Sequence, residues 1–292
     1  MIAAERAAMS EFHDLAELAL NSANQSWGNL GYWEQETSYS DANRALANIL
    51  GQEARLKSDS RVFDAGFGCG DQLLLWLEHF DVAAVCGVNL SQSQTRRAKQ
   101  ILSEAGFGAS AAAIGVGDAT DPESWARAMQ SSSIDCVLAL DCVYHFPDRE
   151  RFFRLAAGNL NHAGTISLTD FMLADDFDTA GWRAGPLALM LRLSKIKRSN
   201  LVIRKAYHRQ LEAAGFAEIE MTDISSHVMP CFGAWLRAYR RQNPGRMSVQ
   251  NWLKYRVTGW FLHWAYRNNI LRYSVIRAVK KTGLAQITEE NS

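Results

Sequence analysis

Val62-Phe63-Asp64-Ala65-Gly66-Phe67-Gly68-Cys69-Gly70 decides how this chain is read. A short apolar run ends in an acid, three glycines follow at alternate positions, and Leu73-Leu74-Leu75-Trp76-Leu77 opens a helical pattern. That order spells strand, tight turn, helix. Glycine takes positive φ and lets the backbone approach a ligand with no Cβ in the way. The helix start adds N–H groups that have no intrahelical partner. The spacing then narrows the ligand. A dinucleotide fingerprint, G-x-G-x-x-G, needs its third glycine where Asp71 stands, and a phosphate loop needs a Gly-Lys-Ser/Thr that is absent.

Asp-x-Gly-x-Gly-x-Gly instead resembles the first motif of class I S-adenosylmethionine-dependent methyltransferases. The resemblance implies that Asp64 receives the ammonium of the cofactor's methionine part, while Ala65, Gly66, Gly68 and Gly70 admit its nucleoside. Val82 to Val88 reads as a second buried strand, ending in Asn89-Leu90-Ser91-Gln92-Ser93-Gln94. NAD enzymes carry an acid here for the ribose hydroxyls, and this chain has none. Gly87-Val88-Asn89-Leu90-Ser91-x-x-Gln94 resembles the corresponding segment of tocopherol, sterol, cyclopropane-fatty-acid and related natural-product methyltransferases. In that subgroup an amide replaces the acid, which implies a ribose site at Asn89, Leu90 and Gln94.

Gly117-Asp118-Ala119, after Ala113-Ile114-Gly115-Val116, resembles the motif that reads adenine, with the Asp118 carboxylate on the exocyclic amine and Ala119 beside it. A fourth apolar run, Ile134 to Leu140, ends in Asp141-Cys142-Val143-Tyr144-His145-Phe146-Pro147. Ligands of open α/β sheets lie at the carboxyl ends of the strands. That rule puts Tyr144, His145 and Phe146 over the sulfonium end of the cofactor, with Tyr144 and His145 as the candidate catalytic residues and Asp141 a candidate for cofactor binding. Ser26-Trp27-Gly28-Asn29-Leu30-Gly31-Tyr32-Trp33 resembles the Gly-Tyr-Trp stretch that covers the cofactor in the same subgroup, which adds Tyr32 and Trp33 to the cofactor site.

Further strands are expected at Thr165–Phe171, Ala217–Ile224 and Tyr273–Val279, with helices over Glu150–Asn161 and Tyr207–Ala214. Strand and helix alternate, which argues for a parallel sheet covered on both faces. The resemblance spans about residues 60–225 and the last strand. It implies an α/β, doubly wound, mostly parallel seven-stranded sheet of the Rossmann-like methyltransferase type, with the final strand antiparallel between its two predecessors. The expected organisation is one domain, 1–292, with an N-terminal helical lid at 1–58, a cofactor-binding core at 59–173, substrate-cap insertions at 174–201 and 226–269, and the final strand at 270–282.

Composition agrees with one globular unit: 48% hydrophobic residues and only 5 Pro. A formal net charge of +0 is poor for holding a polyanion, so nucleic acid is not an expected partner. Charged residues interrupt Met1 to Leu20, which reads as an amphipathic helix and not as a signal peptide. No run is long and apolar enough to span a bilayer. The 5 cysteines read as reduced thiols in a cytoplasm, and no Cys/His spacing suggests a metal.

S-Adenosylmethionine is thus the expected cofactor, with S-adenosylhomocysteine as product and a small, rather lipophilic metabolite as methyl acceptor at O, N or C. Phe232, Trp235 and their aromatic neighbours in 226–269 suggest an apolar cap over that acceptor. Arg and Lys between them form a solvated face or touch an anionic membrane. His145 either takes the acceptor's proton, since imidazole titrates near neutrality, or only shapes the pocket. The readings kept beside this one are a lipid or isoprenoid methyltransferase at a membrane surface and a non-catalytic protein that keeps the cofactor site.

Overall fold

β1 (Arg61–Ala65), β2 (Ala84–Asn89), β3 (Ile114–Val116), β4 (Ile134–Ala139), β5 (Leu160–Leu173), β6 (Phe216–Asp223) and β7 (Leu271–Lys280) form one sheet in the order β3-β2-β1-β4-β5-β7-β6. The first five strands pair in parallel, and β7 runs antiparallel between β5 and β6. This is the methyltransferase-type sheet, with its last strand where the resemblance put it. The computed structural model describes residues 17–22, 24–130 and 133–282. Of the amphipathic helix expected over Met1–Leu20, only a 3-10 turn at Glu17–Leu20 falls among them.

The helices are α1 (Tyr39–Glu53), α2 (Asp71–Leu74, continued by a π-turn over Leu75–His79), α3 (Gln92–Glu104), α4 (Gly108–Ala113), α5 (Pro122–Met129) and α6 (Arg149–Asn159). They continue with α7 (Ala184–Leu193), α8 (Arg204–Ala214), α9 (Ser225–Gln242) and α10 (Val249–Arg267). Side-chain caps set several starts. Ser38 accepts from Asp41 N–H, Ser91 from Gln94 N–H and Asp148 from Arg151 N–H. Each such cap is worth about 1 kcal/mol.

Both faces of the sheet are apolar, so the chain builds two cores. One packs Leu46, Trp76 and Leu102 of α1–α3 against Val62 and Val85, and the other packs Trp125, Phe152 and Tyr207 of α5, α6 and α8 against Phe63 and Ile166. Successive strand side chains point to opposite faces. In β1 this sends Phe63 and Ala65 to the second core and Val62 to the first. Phe63 stacks on Trp125 with ring centroids 3.8 Å apart. β5 is longer than the expected Thr165–Phe171 at both ends: Leu160 pairs with Ile134 of β4, and β7 pairs with it as far as Leu173. Segment 174–201 carries α7 and leads into α8, while 226–269 holds most of α9 and all of α10 between β6 and β7.

Candidate active site

A cavity of about 270 Å³ opens where β1 to β4 end, and the inserted helices cover it. Gly66, Gly68 and Gly70 line its floor at φ +83°, +59° and +103°. Two of these have different reasons to be glycine. A Cβ on Gly70 would stand 2.8 Å from Ala98 Cα, so α3 can pass beneath the turn only if no side chain is there. A Cβ on Gly68 would meet no atom within 4 Å; this residue faces the cavity, and its bareness leaves room for a ligand.

Asp64 is not on that cavity. It lies on the β1 face opposite Phe63 and Ala65, fully buried under α2. There Gln72 Nε2 donates to both its oxygens at 2.9 Å, and Trp76 Nε1 donates to Oδ2 at 2.6 Å. The direct ammonium contact expected of Asp64 has no path through these donors, and Ala65 next to it is likewise buried off the cavity. Burial pushes the Asp64 carboxyl from 3.8 up to about 6, although both donors pull it down. A carboxyl with a higher pKa folded than unfolded binds protons preferentially in the folded state, so its contribution to stability falls as pH rises across that interval. The stability difference between wild type and Asp64→Asn should therefore shrink by up to about 3 kcal/mol between pH 4 and 7. Urea melts of both proteins across that range check this; a difference that stays constant with pH contradicts it.

The other cofactor candidates do meet at the cavity. Asn89, at the end of β2, donates from Nδ2 to Gln94 Oε1 at 3.0 Å, so two residues five apart form one amide surface there, with Leu90 beside them. Asp118 follows β3. Its Oδ1 accepts from the Thr120 N–H and hydroxyl at 2.8 Å each, which fixes the carboxylate, and Ala119 lies next to it on the wall.

The N-terminal arm crosses the opening, but with other residues than the sequence indicated. Trp27, Gly28, Asn29 and Leu30 line the cavity, whereas Tyr32 and Trp33 do not. Tyr32 packs on His227 at 4.9 Å, and the Trp33 ring on Trp235 at 5.1 Å, with its indole N–H on Leu30 O. Their aromatic surface is spent on α9, where they pin the arm. Two cavity carboxylates hold the arm's ends: Asp71 Oδ1 accepts from Ser26 N–H at 3.1 Å and Asp141 Oδ2 from Leu30 N–H at 2.8 Å. Asp71 is a site residue that sequence reasoning missed; its place as the first residue of α2, directly after the glycine turn, was the available signal.

Asp141 is held at φ +53°, in the left-handed region. Its Oδ1 accepts from the hydroxyls of Tyr144 at 2.9 Å and Tyr273 at 2.5 Å. Burial first, and then the Asp141 charge, push both phenols well above the ordinary tyrosine range. Tyr144 therefore stays protonated and serves as a donor to Asp141, and His145 next to it in the loop lines the cavity wall.

Asn200, in the first insertion, clasps this loop. Its Nδ2 donates to Tyr144 O at 3.1 Å and to Phe146 O at 2.8 Å, the carbonyls on either side of His145. Its own carbonyl accepts from Arg149, which is 2% exposed and also bonds Asp170 at 3.0 Å and Gln210 at 2.7 Å. Small displacements of a catalytic group cost large factors in rate. Asn200→Leu is expected to lower kcat by about 10- to 100-fold while cofactor affinity is kept. An unchanged kcat in the folded variant would remove this role.

Beyond the loop the wall turns apolar, with Phe171, Leu191, Leu201, Phe232, Phe261 and Leu262. Polar groups are few there; Thr258, Tyr255 and Lys254 come from α10. Trp235 lies outside this wall. It stacks on Tyr39 and Tyr239, and its indole N–H donates to Thr37 O at 2.9 Å. Among the described residues no cluster of three or more His, Cys, Asp or Glu is placed to hold a metal ion, and no helix is long and apolar enough to cross a membrane.

A family described as "Methyltransferase domain" matches residues 32–221. Erythromycin 3''-O-methyltransferase of Saccharopolyspora erythraea is 32% identical over 216 residues, 72% of this chain and 68% of that protein. The 27-O-demethylrifamycin SV methyltransferase of Amycolatopsis mediterranei is 28% identical over 228 residues, 75% of this chain and 76% of that one. Among solved structures, a mycolic acid cyclopropane synthase complexed with SAH and CTAB superposes with a TM-score of 0.72 at 16% identity, over 94% of this chain and 98% of that one.

Proposed function

We propose, from the premise that this chain belongs to the methyltransferase domain family and is an S-adenosylmethionine-dependent methyltransferase of small molecules, that its acceptor atom is a hydroxyl oxygen of a lipophilic secondary metabolite. The observation that carries this reading is that His145 lines the same cavity as the Asn89–Gln94 amide pair and the apolar wall of Phe171, Phe232 and Phe261. The names of both relatives, an erythromycin 3''-O-methyltransferase and a 27-O-demethylrifamycin SV methyltransferase, point to the same chemistry.

The cavity fits the cofactor: a bare glycine floor, an amide pair at the end of β2 and a carboxylate after β3. S-Adenosylmethionine, when bound, supplies an activated methyl group. Asp118 would hold the adenine amine, Asn89 and Gln94 the ribose hydroxyls, and Asp71 and Asp141 would be anionic neighbours for the ammonium; all five line the cavity. Asp64 acts from behind, by fixing Gln72 and thereby the start of α2. His145 would accept the proton of the acceptor hydroxyl at a ring nitrogen, and the cofactor would supply the methyl group and leave as S-adenosylhomocysteine. The arm and the inserted helices keep water from the acceptor oxygen. No disulfide joins the described cysteines, which fits a reducing cytoplasm.

Phe232→Ala is expected to raise the acceptor KM by about 10-fold or more, since burying a large apolar side chain is worth about 1.5–3 kcal/mol, while cofactor affinity stays the same. Steady-state kinetics beside calorimetry separate the two. The acceptor atom itself is read by incubating the enzyme with ¹³C-methyl S-adenosylmethionine and a panel of macrolide alcohols, phenols and amines, followed by carbon NMR. A methoxy signal supports the reading; label found only on nitrogen or carbon overturns it.

A further inference from the structure

The chain is neutral as a whole, but its charge is unevenly spread. The two insertions, 174–201 and 226–269, contain 12 of its 31 Lys and Arg and only 3 of its 31 Asp and Glu. These stretches build the cover of the cavity, so the cover is cationic and the rest of the molecule anionic. The same cover exposes apolar side chains. The outward face of α10 reads Val249, Leu253, Arg256, Trp260, His263 and Arg267, all exposed, at the three- and four-residue spacing of one helix stripe. Val249 is 80% exposed, Leu253 49% and Trp260 57%, while Tyr255, Phe261 and Leu262 on the other side of α10 line the cavity. Trp182, Leu189 and Leu193, from 55% to 75% exposed, continue the apolar surface on the first insertion. Arg183 beside Trp182 ties the two together by donating to Asn268 O at 2.7 Å.

We infer that this face docks the enzyme on an anionic phospholipid surface. Isolated apolar side chains on a protein surface are ordinary, but a run of them flanked by cations marks an interaction site. Trp and Leu among Arg, on one stripe of a helix, suit the boundary between headgroups and acyl chains. A second copy of the chain is the wrong occupant, because two such cationic faces repel. An acidic protein would satisfy the arginines but gives no reason for the row of apolar side chains between them. The inference is independent of which atom is methylated. Its use follows from the two sides of α10: docking there holds the acceptor half of the cavity about one helix diameter, roughly 10 Å, from the lipid, where a lipophilic acceptor concentrates.

Cosedimentation of the full-length protein tests it, with vesicles of phosphatidylcholine alone or mixed with phosphatidylglycerol. The expected result is binding to the mixed vesicles only, weakened about tenfold or more by molar salt, which shortens the screening length to about 3 Å. The double variant Leu253→Ser/Trp260→Ser should lose about tenfold in vesicle affinity while keeping cofactor affinity, which shows that it is folded. Absence of binding at low salt, equal binding to both vesicle types, or full binding by the double variant would each overturn the inference. So would a wild-type dimer in solution that the double variant dissociates, or an acidic protein whose binding to this face excludes vesicles.

Discussion

Gly68→Val is expected to give a folded protein that no longer takes up S-adenosylmethionine. The residue sits at φ +59° on the cavity floor, and a Cβ there meets no protein atom within 4 Å. The cost to the fold is the backbone strain of a β-branched residue in the left-handed region, about 1–3 kcal/mol. The cost to the cofactor is steric, and cofactor affinity should fall by roughly 100-fold or more, equivalent to about 2.7 kcal/mol. Gly70→Val should behave differently. Its side chain would run into the Ala98 backbone at 2.8 Å, so it destabilises the fold itself. Melting temperature and calorimetry on the two variants separate these cases. Normal cofactor affinity in Gly68→Val would show that the nucleoside does not lie over the turn.

His145→Ala should reduce kcat by about 10²- to 10⁴-fold, the range for removing a general base, with cofactor affinity intact. A base that must be neutral to work also gives a kcat that rises with pH, and the residual activity of the variant should lack that limb. Tyr144→Phe serves as the control. Its phenol is held protonated against Asp141, so the variant should lose positioning and no pH limb. A His145→Ala enzyme with wild-type kcat would point to an acceptor that arrives without a proton to lose, such as a neutral amine.

The fold was legible because its signals are local. The glycine turn, the apolar runs that end in Asn89 and Leu140, and the regular alternation of strand and helix each sit within a few residues. The antiparallel β7 came from the resemblance, not from its own pattern. The site was legible only where a residue follows its strand directly, as Asn89 and Asp118 do. Asp64 lies inside its strand, and the pleat sends it to the face opposite Phe63, beneath Trp76. The two-residue period of the strand carries that placement, and the motif pattern does not. Tyr32 and Trp33 were misplaced because their partners, His227 and Trp235, are about 200 residues away in the chain. Asn200 left no mark in the sequence. Only the fold brings it to carbonyls more than 50 residues upstream.

The central claim is that the cavity beneath the arm binds S-adenosylmethionine and that the bound methyl group is transferred to an acceptor. The most direct test follows S-adenosylhomocysteine and methylated product together, by mass spectrometry, from methyl-labelled cofactor and the macrolide alcohol panel. The account predicts the two in equal amounts, with both lost in Gly68→Val. Tight cofactor binding with no S-adenosylhomocysteine formed from any acceptor would contradict it, and would mark the chain as a protein that keeps the cofactor without spending it.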